Sequence, residues 1–144
     1  MKGSQSCTRK EFVKRDMVHN TQQSIYELMG GAEGIRKLVD SFYSKVAQQP
    51  ELKPIFPDDL TETANKQYLF LTQFFGGPTL YSDKYGHPML RARHMPFEVT
   101  PTRAKAWLSC MNAALHEIEM DSSVRDFVME RLTQTAFHMV NTAE

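Results

Sequence analysis

The sequence predicts an all-α fold, and three observations carry that prediction. Apolar residues recur at helical spacing in several segments, no stretch alternates apolar and polar with period two, and Gly and Pro residues end or break those segments. At 144 residues the chain suits one domain with a real core.

From Met1 to about Gln22 the chain is polar and mildly basic, with Lys2, Arg9, Lys10, Lys14 and Arg15 against Glu11 and Asp16. Residues 1–22 therefore read as a mobile leader, a solvated tail or a start assigned upstream of Met17 in preference to a segment that meets an anionic partner, and 23–144 as the folded domain. Ser24 and Glu27 have capping-box spacing and open a short helix that stops at Gly30-Gly31. In the next element Ile35, Leu38, Val39, Phe42, Tyr43 and Val46 form one helical stripe that ends before Pro50, so Tyr43 points inward. Pro50, Pro54 and Pro57 break up a compact turn in which Leu52, Ile55 and Phe56 still face the core.

A helix is expected from about Thr61 to Phe75, ended by Gly76-Gly77-Pro78, and one line along it reads Thr63, Gln67, Phe70, Phe74. Two polar residues thus continue an aromatic stripe. A primary amide is costly to bury without partners, so an inward Gln67 asks for a polar cavity. Thr63 either gates that cavity, bonds Tyr43, or bonds its own backbone. Thr79 to Gly86 read as an irregular loop, followed by a short helix that ends near His94 because Pro96 cannot extend it. Thr100 caps the next helix with Pro101 in its first turn; its inner face is Ala104, Trp107, Leu108, Met111, Leu115 and Ile118. Asp121 or Ser122 caps the last helix, with Val124, Phe127, Val128, Leu132, Thr135 and Met139 inward.

Seventeen basic and seventeen acidic side chains cancel, so neither a general nucleic-acid footprint nor electrostatic attraction to a membrane is indicated. Small molecules are the expected partners. Two cysteines, Cys7 and Cys110, make no disulfide framework, and no segment reaches membrane-spanning length, which points to a cytoplasmic setting.

The chemistry centres on Gly86 to Phe97, Gly-His-Pro-Met-Leu-Arg-Ala-Arg-His-Met-Pro-Phe, with the chain's only tryptophan, Trp107, thirteen positions after His94. A neutral imidazole beside apolar residues and two arginines offers a haem its nitrogen ligand, greasy surface and cations for the propionates. His94 is the candidate metal ligand. His87, between Gly86 and Pro88, reads as a turn residue, while His116 and His138 lie off their helices' apolar lines and His19 sits in the leader. Periodicity alone makes Tyr43 and Trp107 ordinary core aromatics. Their buried phenol and indole hydrogens nevertheless need acceptors, since an unpaired buried donor costs roughly 1–3 kcal/mol.

Taken together, Gly30-Gly31, Phe42-Tyr43, Gly76-Gly77-Pro78 with Tyr81, the run Gly86 to Phe97, and Trp107 resemble the second group of the truncated haemoglobins, over roughly Ser24 to Asn141. The resemblance implies a shortened globin in which two antiparallel helix pairs form a two-over-two sandwich around haem b. It implies His94 as proximal ligand, Tyr43 as the main distal phenol and Trp107 as the distal indole that marks the group. Lys66, Tyr81 and Arg93 match positions that contact the propionates, and Thr63 lies on the distal side. Phe56 stands where several relatives carry a tyrosine, which leaves Tyr43, Gln67 and Trp107 to share the donor work. The implied activity is reversible binding of dioxygen and other small ligands at a pentacoordinate iron, with high affinity and slow release and a reductase as a candidate partner. A weak peroxidase, nitric-oxide dioxygenase or redox sensor is the alternative, and a haem-free helical interaction module is a third reading. Leu52, Ile55, Phe70, Phe74, Leu90, Phe97 and Met111 are the expected cavity walls.

Overall fold

The structure is a computed structural model that describes residues 23–144; the leader expected over 1–22, with Cys7 and His19, lies outside the described residues. The described residues form helices and no strand. Seven α-helices follow in order: α1 Ile25–Leu28, α2 Gly31–Val46, α3 Thr61–Phe74, α4 Leu80–Tyr85, α5 Leu90–His94, α6 Pro101–Glu117 and α7 Ser122–His138, with a 3-10 turn at Lys53–Ile55 between α2 and α3.

Local chemistry sets the ends of these elements. The capping box at α1 is complete: the Glu27 amide donates to Ser24 Oγ at 3.2 Å, and the Ser24 amide to Glu27 Oε1 at 3.3 Å. Gly30 turns the chain into α2 with φ of 102°, a left-handed conformation that side chains with a Cβ rarely adopt. Gly34 sits so close to the Met29 carbonyl that any Cβ would collide with it. The Asp59 carboxylate accepts from the Thr61 amide at 3.0 Å and starts α3. Thr100 accepts from the Arg103 amide at 3.1 Å at the start of α6, and Asp121, rather than Ser122, caps α7.

The segment expected as an irregular loop, Thr79 to Gly86, is instead mostly helical as α4. Its stability comes from outside the local sequence. Both ends of the Gln73 amide bond Ser82, Nε2 donating to Oγ at 2.8 Å and Oε1 accepting from the backbone amide at 2.9 Å, so α3 templates α4.

Helix α2 packs on α3 and α6, and α6 packs on α7, giving the two-over-two arrangement. The predicted stripe of α2, Ile35 to Val46, is buried throughout, against Leu71 of α3, Met111, Ala114 and Leu115 of α6, and Val124, Val128 and Leu132 of α7. Each large member of this cluster contributes about 1.5–3 kcal/mol by leaving water. Helix α3 differs: only Leu71 and Thr72 are buried, and the line Thr63, Gln67, Phe70, Phe74 is half-buried. Phe127 and Ile118, expected inward, are also half-buried. No helix among the described residues is long and apolar enough to cross a membrane.

Candidate functional site

The helices enclose a cavity of about 500 Å³, within the usual size of ligand and cofactor pockets. It brings together all nine side chains singled out from the sequence. Tyr43, Phe56, Thr63 and Gln67 line it from α2, the following turn and α3; Trp107 lines it from α6; His94, Arg93, Tyr81 and Lys66 complete the set. Its walls are largely apolar, with Leu52, Ile55, Phe70, Leu90 and Phe97 where the sequence placed them. Two expected wall residues are elsewhere. Met111 is fully buried in the helical core, and Phe74 stacks on Phe70 at 5.2 Å and lies under the Arg131 guanidinium at 5.0 Å. On a helix both residues fall close to the correct line, but the neighbouring helix covers them before the cavity does.

His94 ends α5, and its Nδ1 lies 2.7 Å from the Leu90 carbonyl one turn earlier. A carbonyl oxygen only accepts, so Nδ1 carries the proton and donates. The lone pair is then on Nε2, the tautomer a metal ligand requires. Among the described residues no cluster of three or more His, Cys, Asp or Glu side chains could hold a bare metal ion. The site offers a single imidazole in an apolar cavity, a donor set that suits iron already carried by a macrocycle. His87, His116 and His138 are exposed.

Tyr43 is buried, packed edge-on against Phe42 with centroids 4.7 Å apart and against Phe56 at 6.1 Å. Phe42 in turn meets Trp107 at 5.0 Å, so one fully buried ring spaces the phenol from the indole. Burial pushes the Tyr43 phenol well above its ordinary value, which keeps its proton in place as a donor. Among the described residues, none of the Tyr43 hydroxyl, the Gln67 amide and the Trp107 indole N–H makes a hydrogen bond to protein. Three polar groups that line one apolar cavity without a protein partner are what a haem-bound polar ligand would satisfy. The Thr63 hydroxyl makes neither bond considered for it, to Tyr43 or to its own backbone, whereas Thr133 and Thr135 do back-bond, at 2.6 and 3.0 Å. Phe56 brings a ring and no donor.

The cations at the cavity edge are differently engaged. Lys66 is exposed, 5.3 Å from the Tyr85 ring centroid. Arg93 is exposed too, but Nε donates to the Pro88 carbonyl at 2.7 Å and Nη2 to the Tyr85 carbonyl at 3.0 Å. Its remaining N–H groups are available to an anion. Tyr81 is buried rather than at the rim, with Arg93 over its ring at 5.6 Å and Tyr85 beside it at 5.1 Å.

Sequence reasoning missed Arg103, which lines the cavity from the first turn of α6 and bonds the Glu98 carbonyl at 2.7 Å and the Glu51 carbonyl at 3.2 Å. It also placed Leu132, Thr135 and Met139 of the α7 segment inward without assigning them to the cavity they line. For Arg103 the available signal was a cation in the first turn of a helix, where the helix dipole disfavours positive charge.

Comparison with known proteins agrees with this geometry. The family model of the bacterial-like globins matches residues 24–141. Over 119 residues the chain is 56% identical to the group 2 truncated hemoglobin YjbI of Bacillus subtilis, covering 83% of this chain and 89% of that one. The crystal structure of the group II truncated hemoglobin from Bacillus anthracis superposes with a TM-score of 0.83 at 58% identity, over 85% of this chain and 99% of that one. The truncated oxygen-avid haemoglobin from Bacillus subtilis superposes with a TM-score of 0.80 at 55% identity, over 83% of this chain and all of that one (100%). With its two-over-two helices and one-histidine cavity, the chain belongs to the bacterial-like globins as a group 2 truncated haemoglobin, a family that carries haem and binds small gaseous ligands such as oxygen.

Proposed function

We propose that this protein holds haem b in the described cavity and binds dioxygen reversibly, with high affinity and slow release. The observation that carries the reading is the joint presence of the His94 Nε2 lone pair and three partnerless donors on one apolar cavity. A bound haem would supply an iron with one open coordination position at which a diatomic ligand binds reversibly.

The chain's own residues do the rest. His94, oriented by its bond to Leu90, would offer the Nε2 lone pair to the iron. Leu52, Ile55, Phe70, Leu90 and Phe97 exclude water from the macrocycle. Lys66 and Arg93 would hold the propionates, orienting the group more than retaining it because exposed pairs contribute only about 0–1 kcal/mol, and the buried Tyr81 hydroxyl would add a donor from inside the cavity. Tyr43, Gln67 and Trp107 would donate to a ligand that gains negative charge, each bond to a charged acceptor being worth about 1.5–3 kcal/mol. Thr63 borders that ligand space, and Phe56 closes it without donating. The printed description of the Bacillus subtilis relative as oxygen-avid supports the high affinity.

Efficient peroxide cleavage needs a group that moves a proton, and among the described residues His94 is the only histidine on the cavity wall. Tyr43, with its raised pKa, is a donor and not a base. Dioxygen binding is therefore favoured over efficient peroxidase action, which would remain a side activity, while nitric-oxide dioxygenase action would draw on the same dioxygen complex. A haem-free helical module would have no use for an apolar cavity of this size lined by Tyr43, Gln67 and Trp107. We place the protein in a reducing cytoplasm, where the buried free thiol of Cys110 stays reduced and a reductase keeps the iron ferrous. The deciding experiment is an absorption spectrum of purified protein after haem addition, in the ferrous, dioxygen and carbon monoxide forms. A stable dioxygen spectrum supports the reading, and failure to take up stoichiometric haem overturns it.

A further inference from the structure

We infer that Asn141 is a positioning residue for His94, and that through it the C-terminal end of α7 sets the strength of the iron–imidazole bond; this rests on the haem reading above. The proximal segment has little local support. Helix α5 is five residues long, too short to be stable by itself, and it starts from Met89 at φ of 47°, a left-handed conformation unusual for that side chain. The residues after it, Met95 to Glu98, are exposed.

What holds this segment is a strap from the far end of the chain. Asn141 Nδ2 donates to the His94 carbonyl at 3.2 Å and to the Phe97 carbonyl at 3.0 Å, and its Oδ1 accepts from the Val99 amide at 3.0 Å. The Asn141 amide donates to the Val99 carbonyl at 2.9 Å, so a single residue takes bonds from both sides of Phe97 and on the ligand itself. Arg91 completes the strap by donating Nη1 to the His138 carbonyl at 2.6 Å and the Val140 carbonyl at 3.1 Å. The His138 carbonyl is at the C-terminus of α7, where a helix leaves acceptors unpaired, and the Val140 carbonyl lies just past it.

Only a primary amide can serve both ends of this arrangement, because it presents two donors and an acceptor from one short side chain. The position of the His94 backbone fixes where its ring can stand, since Nδ1 is bonded back to Leu90 within the same turn. A loosened His94 carbonyl therefore becomes a displaced or tilted imidazole.

The test compares haem-loaded wild type, Asn141→Ala and Asn141→Asp, with Val124→Ala as a control that weakens the core away from the strap. The readouts are the iron–histidine stretching band of the ferrous protein, haem transfer to an excess of apomyoglobin, and hydrogen exchange of the Val99 amide. Asn141→Ala should shift or broaden the band, release haem roughly tenfold faster, and expose the Val99 amide to exchange. Asn141→Asp keeps the acceptor for Val99 and loses both donors, so it should protect that amide while still shifting the band. Val124→Ala should lower the thermal midpoint and leave the band in place. An unchanged band in Asn141→Asp, or in a folded Asn141→Ala, overturns the inference, as does an equal shift in the control. If Asn141→Ala does not fold, Asn141→Asp decides. A wild type that takes up no haem, or shows no iron–histidine band, overturns the haem reading and this inference with it; a normal wild-type band with unresponsive variants overturns this inference alone.

Discussion

His94 Nδ1 donates to the Leu90 carbonyl across 2.7 Å, one helical turn back, and this bond leaves Nε2 as the imidazole's free base. His87, by contrast, stands exposed in the turn before α5. His94→Ala should abolish proximal coordination and most haem affinity, while His87→Ala should keep the wild-type spectrum. Titration of both variants with haem checks this, and equal loading of His94→Ala with an unchanged iron–histidine band would refute the assignment.

Tyr43→Phe and Trp107→Phe should each speed dioxygen release. Each removes one donor and preserves most of a ring that packs on Phe42, at 4.7 and 5.0 Å respectively, so the packing is largely kept. At about 1.5–3 kcal/mol per charge-assisted bond, release should accelerate roughly 10- to 150-fold. Stopped-flow displacement by carbon monoxide measures it; wild-type rates in both variants would rule out the donor model.

Most of the cavity was legible in the sequence because its polar members sit on helical lines that otherwise carry core residues. Gln67 between Thr63 and Phe70, and Tyr43 at the end of the α2 stripe, are inward by periodicity alone. The 3.6-residue period reports which face of a helix is covered, not by what, and so Met111 and Phe74 were read as walls. Helix α4 was illegible for another reason: its anchor is the Gln73 amide on a different helix. The Asn141 strap spans 47 residues to His94 and has no local signature at all. The roles of the matched residues rest on the resemblance carried by the run Gly86 to Phe97 with Trp107 thirteen positions after His94, not on helical periodicity.

The same Tyr43→Phe substitution should act in the opposite direction on the haem-free protein. The residue is buried, but its hydroxyl opens onto the cavity and makes no hydrogen bond to protein among the described residues, so removing it should not destabilise the apoprotein and should raise its stability by at most about 1 kcal/mol. Denaturant unfolding of the two apoproteins tests this. An apoprotein destabilised by the change would mean that the hydroxyl has an acceptor and is no orphan.

A final prediction concerns the contact between α2 and α6, where Glu117 accepts from Lys45 Nζ at 2.7 Å and from the Ser41 hydroxyl. Those two hydrogen bonds, Lys45 first, and then the lysine's charge hold the Glu117 carboxyl below its ordinary 4.5. A carboxylate with a depressed folded-state pKa contributes stability that is fully present above the unfolded value and fades as pH falls through the folded one. Glu117→Gln should therefore lower the thermal midpoint slightly at neutral pH, since the carboxylate is fully exposed and its pairing is screened by water and salt. The difference between wild type and variant should hold steady down to about pH 4.5, shrink below it, and be smaller in high salt throughout. Midpoints measured across that range at two ionic strengths decide the matter. A difference that persists far below 4.5, or ignores salt, would show that Glu117 joins the helices by packing rather than by its charge.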